Sequence, residues 1–267
     1  MLTPLPLTSY RELPDQVAAV HRDGYAYFPA QLDADQVAAL RRAMDALTAL
    51  PESYDRDWQP PEHAYLNKSI NNVFNRDPLF VPYLDMPGVI DLAEALHGAD
   101  CHVIGMTAWV TGPGRPDQRL HADWQPLEIP EDLMEDKRIR IPVFITTAHY
   151  YLDDLDAALG PTAFVPGSHR AGRPPRAGET SWKGQGEQAI LCRAGDVVLF
   201  RSEVWHRGTA NASRRTRYLL QVHYGRRMIT QKFPPYLNRF RFAPEILERC
   251  TPRQLRLLGN HPQGSYD

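Results

Sequence analysis

From residue 100 the chain becomes a series of short apolar runs cut by turn residues: CHVIGMTAWV, LHADW, IPVFITTAHYYL, PTAFVP, QAILCR, DVVLF, VWHRG and TRYLLQVHYG. Eight short strands with Gly, Pro, Asp and Asn between them predict a β-sandwich or jelly roll. Side chains alternate between the two faces of a strand, so residues two apart point the same way and can reach one point in space.

The first hundred residues obey a different period. Asp33-Ala34-Asp35-Gln36 has the form of a capping box, and Val37, Leu40, Met44 and Leu47 follow at helical spacing, giving one apolar face that must pack on something larger. A shorter helix is expected around Asp15 to His21, ending near Gly24, with a strand at YAYF after it. A third helix is expected over PGVIDLAEALHG, with Pro87 at its start and Gly98 just past its end. Residues 51–78 show no clean period and read as a long ordered loop. Two short helices are expected at the C-terminus, the second announced by Thr251-Pro252-Arg253-Gln254.

The expected class is therefore mainly β with flanking helices, organised as one domain over 1–267. Residues 1–99 form a mainly helical flank and lid loop, 100–225 the β core, and 226–267 a C-terminal lid segment with helices. A chain of 267 residues, 43% of them hydrophobic, is long enough to bury one large core.

A formal net charge of -2 and the lack of a basic stripe argue against a nucleic-acid partner. Nowhere do eighteen apolar residues run together, and the first residues lack the pattern of a signal peptide, so neither a membrane span nor export is expected. Cys101, Cys192 and Cys250 are odd in number and scattered. That pattern argues against a disulfide framework or a Cys-based zinc site and fits a reducing cytoplasm. The expected partner is a small molecule.

The chemistry concentrates in RLHADWQP, residues 119–126. On an extended strand His121 and Asp123 share one face and can reach a common metal ion, although an exposed pair of this kind is more often merely solvated. A third ligand is needed. His149, His169, His206 and His223 all lie in the strand half; His21, His97 and His102 sit in ordinary contexts. His206 precedes a loop and a strand, so residues of that second strand lie beside it, including Arg215 and Arg217, which share a face. Two imidazoles and a carboxylate make the facial triad that suits non-haem Fe(II), and an arginine fork near it suits the carboxylate of a co-substrate.

The order His121-x-Asp123, LDDLDAALGPTAFVPGSHR, GDVVLF, His206 and Arg217 resembles the phytanoyl-CoA dioxygenase family of Fe(II)/2-oxoglutarate-dependent oxygenases. The similarity is strongest over residues 100–225. It implies a double-stranded β-helix, a cupin-like jelly roll with the metal inside. It implies His121, Asp123 and His206 as iron ligands, Arg217 on the distal carboxylate of 2-oxoglutarate, and O2 as second co-substrate. Thr107, on the strand before the motif, is the expected further contact to 2-oxoglutarate, and His169 is a turn residue in such proteins. Leu159-Gly160 departs from the Asn-Gly pair common in the family. Asp123 argues against halogenation, where a small residue replaces the carboxylate.

The resemblance implies oxidation, foremost hydroxylation, of a small molecule such as a natural-product intermediate, with succinate and CO2 released. Substrate choice is expected in Tyr54–Asn75, in Trp124–Glu131 and in the segment from Arg226. An acyl-CoA hydroxylase of the same family, a metal-dependent hydrolase and a metal-free jelly-roll binding module are the alternatives. The hydrolase would need a general base and gives Arg217 no task.

Overall fold

The computed structural model describes residues 2–49, 65–125, 127–136, 138, 141–233 and 240–262. In chain order the elements are β1 (Thr3–Pro4), α1 (Leu13–Asp23), β2 (Tyr25–Phe28), α2 (Ala34–Thr48), β3 (Asn67–Asn71), α3 (Val89–His97) and β4 (His102–Thr111). There follow α4 (Glu131–Glu135), β5 (Ile145–Tyr151), β6 (Thr162–Phe164), β7 (Ser181–Trp182), β8 (Gln185–Gly186) and β9 (Gln188–Ala189). The last are β10 (Val197–Arg201), β11 (His206–Gly208), β12 (Arg217–Gly225), α5 (Pro244–Leu247) and α6 (Pro252–Leu257).

The helix starts follow from capping chemistry. The Asp33 carboxylate accepts from Gln36 N–H at 2.8 Å and the Gln36 side chain accepts from Asp33 N–H at 3.0 Å, so orphan donors of α2 are satisfied reciprocally. Thr251 and Gln254 repeat the arrangement at α6. α1 ends where Gly24 adopts φ 91°, a left-handed conformation that glycine takes without strain, and its N–H closes on Val20 O. At α3 the first helical residue is Val89, two positions after Pro87, and Asp91 accepts from the Gly88 N–H.

Two sheets face each other as a jelly roll. The larger runs β2-β10-β5-β12-β4-β3, all antiparallel; the smaller runs β1-β9-β6-β11, antiparallel except for β1 with β9. Alternation sorts β12 into two functions. Tyr218, Leu220, Val222 and Tyr224 enter the core under the helices with Leu40 and Met44. Arg217, Leu219, Gln221 and His223 line the interior between the sheets. Leu40 and Met44 are fully buried, and truncating either to Ala removes about 2–5 kcal/mol. Among the described residues no helix is long and apolar enough to cross a membrane.

Three expectations need correction. Residues 51–78 do not form one loop: Asn67–Asn71 is the edge strand β3, paired with β4, and residues 51–64 lie outside the described residues. LHADW is not a strand; only His121 makes an isolated antiparallel bridge, to His206. QAILCR contributes just Gln188–Ala189 to a sheet. At the Leu159-Gly160 turn the glycine carries the conformational demand, with φ 74° and Thr209 O 2.8 Å from where a Cβ would stand, so leucine in place of asparagine leaves the turn intact.

Candidate metal centre

His206 opens β11, and its backbone exchanges two hydrogen bonds with His121: His121 N–H to His206 O at 3.0 Å and His206 N–H to His121 O at 2.8 Å. Asp123 N–H then reaches Ser202 O at 3.0 Å. This short ladder delivers the i, i+2 geometry that a full strand was expected to supply.

The side chains converge. Asp123 Oδ1 stands 3.5 Å from His121 Nε2 and 3.6 Å from His206 Nε2, and one ligand atom from each residue lies within 4.8 Å of the others. Ligands about 2.1 Å from a shared ion need only small adjustments from these separations. In both rings Nδ1 lies 2.8 Å from a backbone carbonyl two residues upstream, Arg119 O for His121 and Val204 O for His206. A carbonyl only accepts, so Nδ1 carries the proton, and in the neutral ring the Nε2 lone pair faces the common point.

The electrostatics match. Burial works against the Asp123 carboxylate, but attraction from His206 and the hydrogen bond from His121 outweigh it and hold the group well below the usual carboxylate range. Burial lowers His206, keeping its imidazole neutral. Burial also opposes charge on His121, yet its bond to Asp123 prevails and raises it; a metal would displace that proton.

The triad opens into a cavity of about 310 Å³ between the sheets. Arg217 lines the same cavity, buried, with Nη1 bonded to Gly160 O and a buried Nε that meets no acceptor among the described residues. That unmet donor beside three convergent metal-type ligands fits a metal-chelating acid with a second carboxylate. Arg215 lies outside, half exposed and paired with Asp156 at 2.7 Å. Thr107 lines the cavity with its hydroxyl proton committed to Asn71 Oδ1 at 3.0 Å.

The remaining histidines take other places. His169 is buried against the end of α1, its Nε2 donating to His21 O at 3.1 Å, and so closes that helix. His149 and His223 line the cavity wall and are held neutral by burial, His223 at about 3. His149 is fixed by Gln221 at 2.8 Å, and His223 by Thr147 at 2.9 Å.

Sequence reasoning missed Gln221, which the two-residue period from Arg217 would have placed on the inner face. It also missed Arg115, a buried cavity residue inside GPGRPD, a stretch with no signal beyond a turn. Trp124, Ile229 and Thr230 from the expected lid segments line the cavity too.

Several solved structures share this fold. The chain is similar to the non-haem α-ketoglutarate-dependent carbocyclase SnoK from nogalamycin biosynthesis, with 23% identity, TM-score 0.62, and 84% of this chain and 87% of that one covered. It is similar to the epimerase SnoN of the same biosynthesis, with 22% identity, TM-score 0.62, and 80% and 82% covered. It is also similar to HygX from Streptomyces hygroscopicus with nickel and 2-oxoglutarate bound, with 15% identity, TM-score 0.64, and 84% and 90% covered. A family model described as phytanoyl-CoA dioxygenase matches residues 20–218. The chain belongs to the phytanoyl-CoA dioxygenase family, whose members are 2-oxoglutarate-dependent non-haem iron oxygenases.

Proposed function

We propose that this dioxygenase binds Fe(II) through His121, Asp123 and His206, anchors the distal carboxylate of 2-oxoglutarate on Arg217, and oxidises a small natural-product intermediate. The observation that carries the reading is the joint placement of the triad and the unmet Arg217 guanidinium in one cavity. When bound, iron, 2-oxoglutarate and O2 supply the oxidant that takes a hydrogen atom from the substrate, with succinate and CO2 released.

The protein's own residues orient and exclude. Arg217 is fixed at one end by Gly160 O and presents its remaining N–H groups to a carboxylate. Asn71, its Oδ1 held by the Thr107 hydroxyl, supplies the further polar contact to the co-substrate through its amide N–H. Trp124, beside Asp123 and packed on Phe144 at 5.5 Å, shields the mouth from water.

The wall also bears on substrate. Asn67, Asn71, Gln118 and Gln221 give it amide donors and acceptors, which suit an oxygenated molecule better than a fatty acyl chain. SnoN is solved in complex with nogalamycin RO and HygX with hygromycin B, and a molecule of that general kind is the substrate class this wall favours. Hydroxylation is the simplest outcome for it. The three unpaired cysteines, two of them buried, favour a reducing cytoplasm as the working compartment.

The test is anaerobic addition of Fe(II) and then 2-oxoglutarate to the purified protein, watching for the visible metal-to-ligand charge-transfer band. The band should vanish in His121→Ala and need far more 2-oxoglutarate in Arg217→Ala. Tight zinc binding with no such band would instead favour a hydrolase.

A further inference from the structure

Arg115 is the second guanidinium buried in this cavity. It is 4% exposed, against 6% for Arg217, and the cavity is lined by both. Its Nη1 donates to Pro116 O at 2.7 Å and Gly208 O at 3.1 Å, while its buried Nε meets no acceptor among the described residues. Neither arginine makes an ion pair with a described residue. Among the described residues Asp123 is the only carboxylate in the lining, and the metal triad claims it.

Gly208 makes the room. It lies two residues beyond His206 on β11, on the same face, and also lines the cavity. A Cβ there would stand 2.5 Å from Arg115 Nη2 and 2.9 Å from Gln118 Oε1. The guanidinium thus occupies the volume a side chain would fill, one pleat along from a metal ligand. Two residues of strand advance about 6.5 Å, the scale of the carbon chain separating the two ends of a five-carbon diacid.

The two cations also feel one another. Burial pushes Arg115 down to about 10, and repulsion from Arg217 is the next cause. Two like charges buried in one wall are costly unless an anion sits between them.

We propose that Arg115 is a second anchor for the distal carboxylate of 2-oxoglutarate, which it and Arg217 grip from two sides. The inference rests on the reading of the cavity as a 2-oxoglutarate site. It assigns the carboxylate donors from both guanidiniums: the unmet Nε–H groups and those Nη2–H groups that bond no described residue.

The experiment compares two acids on Mn(II)-loaded protein by titration calorimetry: 2-oxoglutarate, and 2-oxobutyrate, which keeps the chelating end and lacks the distal carboxylate. Arg115→Gln should weaken 2-oxoglutarate roughly 10- to 100-fold, the loss of a charge-assisted bond, and leave 2-oxobutyrate unchanged. Gly208→Ala, which displaces the guanidinium without removing charge, should weaken 2-oxoglutarate selectively as well, so the inference does not hang on one variant folding. Equal weakening of both acids, or an unchanged affinity for 2-oxoglutarate in both variants, overturns it. Wild-type protein that binds neither acid overturns the reading of the cavity itself, and this inference with it.

Discussion

Gln221 ties three adjacent strands together: its Nε2 donates to His149 Nε2 on β5 at 2.8 Å, and its Oε1 accepts from the indole N–H of Trp109 on β4 at 2.8 Å. His149 therefore carries its proton on Nδ1, facing the Tyr151 hydroxyl at 3.3 Å. Gln221→Ala strips a partner from buried His149 and from Trp109. The expected loss is about 1–3 kcal/mol of stability, read from urea unfolding, with a change in Trp fluorescence as Trp109 loses its fixed position. Unfolding and emission identical to wild type would show that this chain of bonds holds nothing in place.

The triad makes a sharper prediction. Asp123→Ala and His206→Ala should each weaken Fe(II) binding by more than the roughly 10- to 100-fold typical of losing a merely supporting partner. Equilibrium dialysis with iron quantified in the protein compartment measures this. Undiminished affinity in Asp123→Ala would remove the carboxylate from the ligand set.

Acid should destabilise the fold well above the carboxylate range. Burial lowers His97 to about 4, with its nitrogens bonded to Val143 O and Thr146 Oγ1, and lowers His169 and His223 to about 3. The unfolded chain takes up protons at these imidazoles near pH 6.5, whereas the folded chain resists until much lower pH. Stability is thus full above about 6.5 and declines as pH falls toward 4, by about 2 kcal/mol at pH 5 for His97 alone. Urea midpoints at pH 7 and pH 5 should differ less in His97→Gln than in wild type. The same pH dependence in both proteins would assign the decline elsewhere.

Gly172 is predicted to control the segment that follows Asp123. Its φ is 69°, its O accepts from Ile129 N–H at 2.8 Å, and a Cβ on it would lie 2.0 Å from Ile129 O. Gly172→Ala must push residues 127–135 off the turn at Ser168–Ala171, at a cost of order 1–3 kcal/mol. Limited proteolysis should cut this segment faster in the variant. Equal cutting rates would mean that the contact does not restrain it.

What was legible follows from where side chains carry the signal. α2 announced itself through Asp33, Gln36 and an apolar face whose Val37, Leu40, Met44 and Leu47 are all buried. β4, β5 and β12 were visible because these buried strands are apolar on one face and line the cavity on the other, and β10 because its Val197–Phe200 run is apolar on both faces. β3 was hidden because NKSIN is a polar edge strand held by backbone pairing to β4, which leaves no apolar alternation to read. His121 and Asp123 do converge, but through a different local structure, a single bridge in place of a strand. Arg115 was invisible because its meaning depends on Gly208, ninety-three residues away in sequence.

The imidazoles of His121 and His206 take their orientation from main-chain oxygens, those of Arg119 and Val204, and among the described residues from no side chain's hydrogen bond at Nδ1. Every amino acid carries a carbonyl, so substitutions at 119 or 204 leave these acceptors in being. The aim of the proposed metal centre is thereby insulated from side-chain drift, and the cavity walls can change without disturbing it.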